Sequence, residues 1–490
     1  MGNLTFVLMG SEFQCHCETI YTVTFIGATR GAVVRTEGIL MNIVVFGMGY
    51  VGIPAAALFA DVPGFNVTGV QRRSKRSGWK IDALNRGVNP IGGDEPGLAE
   101  LLKRVHDKGS FRVTDDPGVV EDADAVLIDV QTPTESDHRP RYESLKAVSR
   151  QVGERMKPGT LVCIESTVAP GTTQNVVRPI LEEASKMEAG RDFFLAFAYE
   201  RVMVGRLLFN ITDLPRIVGG IDERSTKKAV ELYGNIVKAE LHPTDSLTAE
   251  VAKTVENTYR DVNIAFANEV AMICESLGIN AYRVRELVNT LPNIPSDPAK
   301  NPIRNMHVPG SGVGGHCLPK DSWLLKYGLD TYGNFSVEPK IIVASRELND
   351  WMPVHTVDLL EEELAKHDTP LSGSRIVVLG LAFLPDSDDT RNTPTYAMDR
   401  ELRDRGAEVV IHDTLVEADE GVDNLTNNLW DALEGADGVI LSTAHNQYGD
   451  LDLYKLHSTM HTPVLIDGRN LWSTEAAVTA GFSYRCVGQG

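Results

Sequence analysis

Asn42-Ile43-Val44-Val45-Phe46-Gly47-Met48-Gly49-Tyr50-Val51-Gly52 is the stretch that decides the fold. A short apolar run enters Gly-x-Gly-x-x-Gly, and an alanine-rich segment, Ile53 to Ala60, follows. That order reads as strand, glycine turn, helix. Glycines there permit a tight turn and let a pyrophosphate approach the helix N-terminus, so the stretch predicts a dinucleotide-binding unit. The next strand, Asn66 to Val70, should end on an acid that grips the adenosine ribose; here it ends Gln71-Arg72-Arg73. An amide can still bond a ribose hydroxyl, and arginines can hold a 2′-phosphate, so NAD and NADP both stay open.

Working outward, further βα units follow. Ala125 to Val130 reads as a buried strand leading into Gln131-Thr132-Pro133-Thr134, and Thr160 to Ser166 as another entering Thr167-Val168-Ala169-Pro170-Gly171. Hydroxyls at such strand ends line the cofactor crevice of a doubly wound sheet or serve as ordinary caps. Phe193 to Ala198 is one more strand, followed by Tyr199-Glu200-Arg201-Val202. Asp245 to Leu277 keeps helical spacing with no Pro or Gly until Gly278, which predicts a helix of ~50 Å at 1.5 Å per residue. Lys253 and Asn257 share one of its faces. A proline-rich stretch then carries Arg304 into Pro309-Gly310-Ser311-Gly312-Val313-Gly314-Gly315-His316-Cys317-Leu318-Pro319-Lys320-Asp321. Four glycines let the backbone approach a ligand, the loop ends on a thiol, and a carboxylate follows four residues later: the ingredients of a nucleophile with a proton-handling group. Facing that loop, Lys253 and Asn257 could donate hydrogen bonds to a developing oxyanion. Arg375 to Leu379 begins a second α/β unit without Gly-x-Gly-x-x-Gly, with further strands at Val409 to His412, Gly438 to Ser442 and Val464 to Ile466. Its first loop holds Asp386 and Arg391, suited to a different, anionic ligand.

The 490 residues suggest about three domains. A net charge of −20 and pI near 5.1 argue against nucleic-acid binding, so anionic ligands must be held by local cations and helix N-termini. No apolar run approaches the ~20 residues of a membrane span. Six cysteines in so long a chain do not make a disulfide framework, which predicts a reducing, cytoplasmic setting. Residues 1–40 carry no clear period and no signal-peptide pattern, and Cys15-His16-Cys17 cannot complete a tetrahedral metal site, so no metal is expected. The predicted organisation is α/β, with two Rossmann-like doubly wound domains joined by a central helical domain built on one long helix. Its divisions are an N-terminal extension (1–40), a dinucleotide-binding domain (41–240), a central helical domain with the cysteine loop (241–355), and a C-terminal α/β domain for a different ligand (356–490), which the resemblance below implies are the NAD-binding, dimerisation and UDP-sugar-binding domains.

GMGYVG, LNRGVNPIGGDEPGLAELL, ESTVAPGTT, ERVMVGRLL, AEVAKTVENTYRDVNIAFANE, GSGVGGHCLPKD and DSDDTRNTPT together resemble the nucleotide-sugar 6-dehydrogenases, the UDP-glucose and GDP-mannose dehydrogenase superfamily, across Met41 to Asn470. The resemblance implies NAD as cofactor, a UDP-sugar substrate and a homodimer formed through the middle domain. It implies that Cys317 is the nucleophile and that Asp321 assists water attack. Lys253 and Asn257 then stabilise oxyanions, with Thr167 and Glu200 near the reacting C6. It further implies a cofactor site at Gly47, Gly49, Tyr50, Val51, Gly52, Gln71, Arg72, Thr132 and Thr167. The substrate contacts it implies are Glu200, Arg201, Val202, Lys253, Asn257, Arg304, Gly312 and Arg391.

His316 before the cysteine, and Glu-Arg-Val after Tyr199, are similar to members acting on UDP-N-acetylhexosamines. The expected reaction is therefore four-electron oxidation of UDP-N-acetyl-D-mannosamine to its uronate, for surface polysaccharide or glycan precursors, with UDP-N-acetylglucosamine or UDP-glucose as alternatives. Departures are Gln71 for the usual ribose acid, Phe-Ala before Tyr199, and Lys320. A single-step β-hydroxyacid dehydrogenase would need neither Cys317 nor residues 375–470, and a non-catalytic nucleotide-sugar sensor would be expected to lose Cys317, Lys253 or Asp321.

Overall fold

The computed structural model describes residues 41–75, 77–93, 95–290 and 305–490. Residues 1–40, with Cys15-His16-Cys17, and Arg304 lie outside the described residues. The first sheet runs β1 (Met41–Phe46), β2 (Phe65–Val70), β3 (Phe111–Thr114), β4 (Ala125–Ile128), β5 (Leu161–Ile164), β6 (Phe194–Phe197), β7 (Arg216–Gly220) and β8 (Leu241–Asp245). Their spatial order is 3-2-1-4-5-6-7-8, parallel except for the antiparallel β6–β7 pair. The second sheet contains β9 (Arg375–Leu379), β10 (Glu408–His412), β11 (Leu425–Thr426), β12 (Gly438–Leu441), β13 (Val464–Asp467) and β14 (Ser483–Cys486). Its order is 11-10-9-12-13-14, all parallel.

Both sheets are buried on both faces, which is why their central strands are unbroken apolar runs rather than alternating ones. Ile43 and Val45 enter one core while Val44 and Phe46 enter the other. In the second sheet Ile376 and Val378 face one core, and Val377 and Leu379 the opposite one. Each such side chain contributes about 1.5–3 kcal/mol by leaving water. Strand order reverses between β1 and β4, and again between β9 and β12, so each sheet opens a crevice at the carboxyl ends of those pairs.

The long helix spans Ser246–Leu277. Asp245 caps its start by accepting from Thr248 N at 2.9 Å, and Gly278, at φ 68°, ends it in the left-handed region. Two helices pack along it, Leu318–Tyr332 behind the cysteine and Lys340–Ala365, which runs on into the second sheet. Among the described residues, no helix is long and apolar enough to cross a membrane.

Candidate active site

The turn after β1 is shaped for a pyrophosphate. Gly47 sits at φ 103°, and a Cβ there would lie 2.3 Å from the Asp129 carbonyl; one on Gly52 would lie 2.0 Å from the Gly47 carbonyl. Gly49 differs: nothing stands within 4 Å of where its Cβ would be, so the middle of the turn is an open cradle before the helix Gly52–Asp61. These residues fit a bound NAD. Gln71, at the end of β2, is turned inward. Its Oε1 accepts from Met48 N at 3.0 Å, and its Nε2 donates to Ser77 Oγ at 3.0 Å, so it braces the turn instead of presenting its amide to a ribose. Arg72 beside it is exposed. Thr132 is buried and donates to the Thr167 carbonyl at 2.6 Å, so it acts by fixing the Thr167 loop. Tyr50 lies under the Arg391 guanidinium, 5.3 Å from carbon to ring centroid, which joins the cofactor turn to the second sheet. Arg391 also pairs with Asp389, with Nε to Oδ1 at 2.8 Å.

Cys317 is the N-cap of the helix Leu318–Tyr332, with Pro319 in the first turn, where its missing N–H costs nothing. One turn on, the fully buried Asp321 accepts from Asn257 Nδ2 at 2.5 Å and from Lys320 Nζ at 2.6 Å. One turn before Asn257 on the long helix, the buried Lys253 donates to the Glu200 carbonyl at 2.8 Å. Its Nζ stands 4.0 Å from Glu200 Oε1, while the other carboxylate oxygen accepts from Val202 N. Burial pushes the Cys317 thiol up, Asp321 adds to this, and the ammonium groups of Lys253 and Lys320 pull against both. Burial works against the Lys253 charge, but Glu200, Cys317 and Asp321 together hold its pKa above the ordinary value. Burial, reinforced by Lys320 and Arg391, pushes His316 down to about 4, so its imidazole is neutral at pH 7. The arrangement is a resting thiol beside two cations, with a carboxylate and an amide one turn away: a nucleophile with donors for a developing oxyanion.

Arg201 does not reach into this cluster; it holds Glu256 with Nη2 to Oε2 at 2.8 Å and the Pro215 carbonyl at 2.6 Å. Gly312, at φ 119°, packs on Pro353 and Pro394, and its carbonyl lies 3.4 Å from Arg469 Nη1. Several supporting residues carry no local signal in the sequence. Glu250 accepts from Gly171 N, Thr173 N and Thr173 Oγ1 at 2.7, 2.7 and 2.6 Å, so it fastens the Thr167 loop to the long helix. Gly310 of the cysteine loop donates to Asn268 Oδ1, Asn268 to Asn349 Oδ1, and Asn349 to Asp261 Oδ1, each at 2.9 Å. Arg346 closes that chain on Asp261 at 2.5 Å. Among the described residues no cluster of His, Cys, Asp or Glu is arranged to hold a metal.

A dinucleotide turn, a second doubly wound sheet and a cysteine cluster between them are the parts of an oxidoreductase. The three domain models of the UDP-glucose/GDP-mannose dehydrogenase family match in order: the NAD binding domain over residues 41–237, the central domain over 247–351 and the UDP binding domain over 377–474. The chain belongs to this family and is an NAD-dependent oxidoreductase. It is 37% identical over 450 residues to the UDP-N-acetyl-D-mannosamine dehydrogenase of Pyrococcus horikoshii, covering 92% of this chain and all of that one. The crystal structure of an NDP-N-acetyl-D-galactosaminuronic acid dehydrogenase from Methanosarcina mazei matches with a TM-score of 0.83 at 43% identity, covering 92% and 96%. A UDP-glucose dehydrogenase structure from Pyrobaculum islandicum matches with a TM-score of 0.78 at 30% identity, covering 94% and 100%.

Proposed function

We propose that the protein oxidises the C6 hydroxyl of a UDP-N-acetylhexosamine, UDP-N-acetyl-D-mannosamine first among them, to the uronate through a thioester on Cys317. The observation that carries this reading is the grouping of Cys317 and Lys320 with Lys253, Glu200 and the Asn257–Asp321 pair. The name of the Pyrococcus horikoshii relative and the His316 loop favour the N-acetylmannosamine epimer.

The Gly47–Gly52 turn would hold NAD+, which when bound would accept a hydride, one molecule for each of the two oxidations. Lys253 donates a hydrogen bond to the C6 oxygen as it becomes a carbonyl. The Cys317 thiol gives its proton to the Asp321 carboxylate as its sulfur adds to the aldehyde carbon; the C–S bond forms as the C=O π bond opens, leaving a thiohemiacetal oxyanion stabilised by Lys253 and Asn257. Loss of the second hydride leaves a thioester. Water, oriented by Asn257 and Asp321 near Thr167 and Glu200, adds to the acyl carbon; the C–S bond breaks, the proton held on Asp321 returns to the sulfur to restore the thiol, and the water's protons leave to solvent as the carboxylate is released. Covalent capture keeps the aldehyde from leaving between steps. Arg391, Gly312 and Arg304 are assigned to the sugar nucleotide. Arg201 and Val202 are assigned to shaping the Glu200 loop.

Residues 41–240 serve the cofactor, 241–355 the thiol chemistry and 356–490 the UDP group. β8 falls just past the first of these boundaries although it pairs with β7 in the first sheet, and the helix Lys340–Ala365 runs across the second. A homodimer is supported by Val255, Tyr259, Phe266, Ile273 and Leu277, exposed apolar side chains that fall on one stripe of the long helix. Cys163, Cys274, Cys317 and Cys486 are all free thiols, in keeping with a cytoplasmic enzyme supplying uronates for polysaccharide or glycan precursors.

The test is cofactor stoichiometry: limiting UDP-N-acetyl-D-mannosamine with excess NAD+ should yield two NADH per sugar. One NADH per sugar would remove the thioester step. Faster turnover of UDP-N-acetylglucosamine or UDP-glucose would move the substrate assignment. Cys317→Ala should form no uronate.

A further inference from the structure

Asp129, Glu165, Arg216 and Tyr233 meet beneath the dinucleotide turn and take no part in the thiol chemistry. Asp129 follows β4 and Glu165 follows β5, two residues past Leu127 and Cys163, which line one core. The period of two puts both acids on that face of neighbouring parallel strands. Asp129 lies against the turn: its carbonyl would be 2.3 Å from a Cβ on Gly47, and its own Cβ 3.4 Å from one on Gly52. Glu165 is buried, and its Oε1 accepts from Arg216 Nη2 and, at 2.8 Å, from the hydroxyl of Tyr233, the last residue of the helix Glu223–Tyr233. Arg216, buried at the start of β7, lies 4.0 Å over the Tyr233 ring. Its Nη2 also donates at 2.6 Å to the carbonyl of Ala198, two residues before Glu200.

The charges in this cluster do not balance. Two carboxyl groups share one guanidinium; burial pushes Cys163 and Tyr233 up, so both stay neutral, and the helix Gly52–Asp61 brings no titratable side chain before Asp61. Asp129 Oδ2 and Glu165 Oε2 are buried, and no N–H or hydroxyl among the described residues reaches either. The two carboxyl groups nevertheless lie within hydrogen-bonding reach of one another. Two acceptors satisfy each other only when one carries a proton, and two buried carboxylates do not both ionise beside a single cation. Burial above all, then the Glu165 charge and the bond to it, pushes the Asp129 carboxyl well above the usual range; Glu200 adds to the rise and Arg216 opposes it. Arg216 bonds Glu165 and not Asp129, which leaves the charge on Glu165 and the proton on Asp129. The turn above must receive a pyrophosphate, which an ionised acid at its floor would repel.

We propose that Asp129 is a positioning residue that works as a neutral acid: it donates its proton to Glu165, keeps the floor of the dinucleotide turn uncharged, and holds Glu165 on Arg216, which sets the Glu200 loop. The Glu200 part rests on the reaction proposed above; the cofactor part does not. Asp129→Asn is uncharged and can still donate to Glu165, whereas Asp129→Ala cannot. Difference infrared spectra, wild type minus Asp129→Asn near pH 7, should show the C=O band of a protonated carboxyl. Isothermal titration should find NAD+ affinity in Asp129→Asn within about twofold of wild type, since the hydrogen bond is kept, and about tenfold or more weaker in Asp129→Ala, which strands Glu165 Oε2. At saturating NAD+, kcat on UDP-N-acetyl-D-mannosamine should fall in Asp129→Ala and be restored in Asp129→Asn. Absence of the carboxyl band overturns the proposal. So does an Asn variant as weak as the Ala one, which would mean that the turn needs the carboxylate, or an Ala variant that binds like wild type. Failure of every UDP-sugar to turn over would remove the reaction while leaving the band and the binding ratios to decide the neutral acid.

Discussion

The two sheets solve the same geometric problem with opposite electrostatics. After β1, Gly47 turns at φ 103° with its N–H bonded to the Val70 carbonyl; after β9, Gly380 turns at φ 98° with its N–H bonded to the His412 carbonyl. In each sheet the residue following the neighbouring strand reaches back to the N–H groups of that turn. In the first sheet it is Gln71, a neutral acceptor for one N–H. In the second it is Asp413, fully buried, whose Oδ2 accepts from Leu381 N at 2.6 Å and Ala382 N at 3.0 Å while Oδ1 accepts from Leu415 N and Val416 N. Burial alone would raise the Asp413 pKa; His445 and the backbone donors outweigh it and hold the carboxyl well below its usual range. The second crevice therefore carries its own anion where the first leaves room for a ligand's. Two copies of one architecture can thus bind different nucleotides, and a missing glycine fingerprint after β9 is explained by a filled site rather than a degraded one.

The largest effect should come from emptying that filled site. Asp413→Ala strands four backbone N–H groups and His445, and should cost about 3–5 kcal/mol, read by urea unfolding. The same carboxylate sets an acid limit. A depressed folded-state pKa contributes stability that is fully present above the unfolded value near 4 and is lost progressively as pH falls from there through the lower folded value. Acid unfolding of the wild type should steepen below pH ~4, and Asp413→Asn should flatten that limb. Gly52→Ala comes next, about 1–3 kcal/mol, because its Cβ meets the Gly47 carbonyl at 2.0 Å. Gln71→Ala frees Met48 N and takes one partner from Ser77 Oγ, which keeps Ser74 Oγ, and should cost about 1 kcal/mol; a loss equal to that of Asp413→Ala would break the comparison. Gly49→Ala should change stability by less than ~0.5 kcal/mol, since its Cβ enters open space, yet should weaken dinucleotide binding. A Gly49→Ala protein with unchanged NAD+ affinity would show that the open cradle is not where the pyrophosphate lies.

Legibility in the sequence followed how local each signal was. Arg375–Leu379 reads to the residue because five apolar-flanked positions buried on both faces admit no other pattern. Both ends of the long helix are legible because Asp245 and Gly278 are a cap and a stop of ordinary type. β7 was not foreseen: Arg216-Ile-Val-Gly-Gly220 ends on two glycines, which serve there because a Cβ on Gly219 would lie 2.3 Å from the Asp245 carbonyl. β8 was missed because it is an edge strand with Pro243 and exposed side chains. In the site, Lys253 with Asn257 and Cys317 with Asp321 are pairs one helical turn apart, so spacing alone places each pair. Glu250 and Arg346 find their partners 77 and 85 residues away, and no local pattern announces such a bond. Gln71 was expected at the ribose; its inward turn depends on Met48 and Ser77 together, which is a tertiary fact.

The helix behind Cys317 is gripped by both sheets. Near its far end Gly328 has no side chain, and a Cβ there would lie 2.7 Å from Pro170 of the Thr167 loop. At its near end Gly314 and Gly315 let Phe383, from the loop after β9, lie against the backbone, where added Cβ atoms would meet it at 2.5 and 2.9 Å. From its first residue, Leu318, to Gly328 the helix rises ~15 Å, taking 1.5 Å per residue. Mechanically the helix is a strut between two plates, and the thiol sits at one of its bearings. A load between the plates would pass along this helix, whose first residue directly follows Cys317.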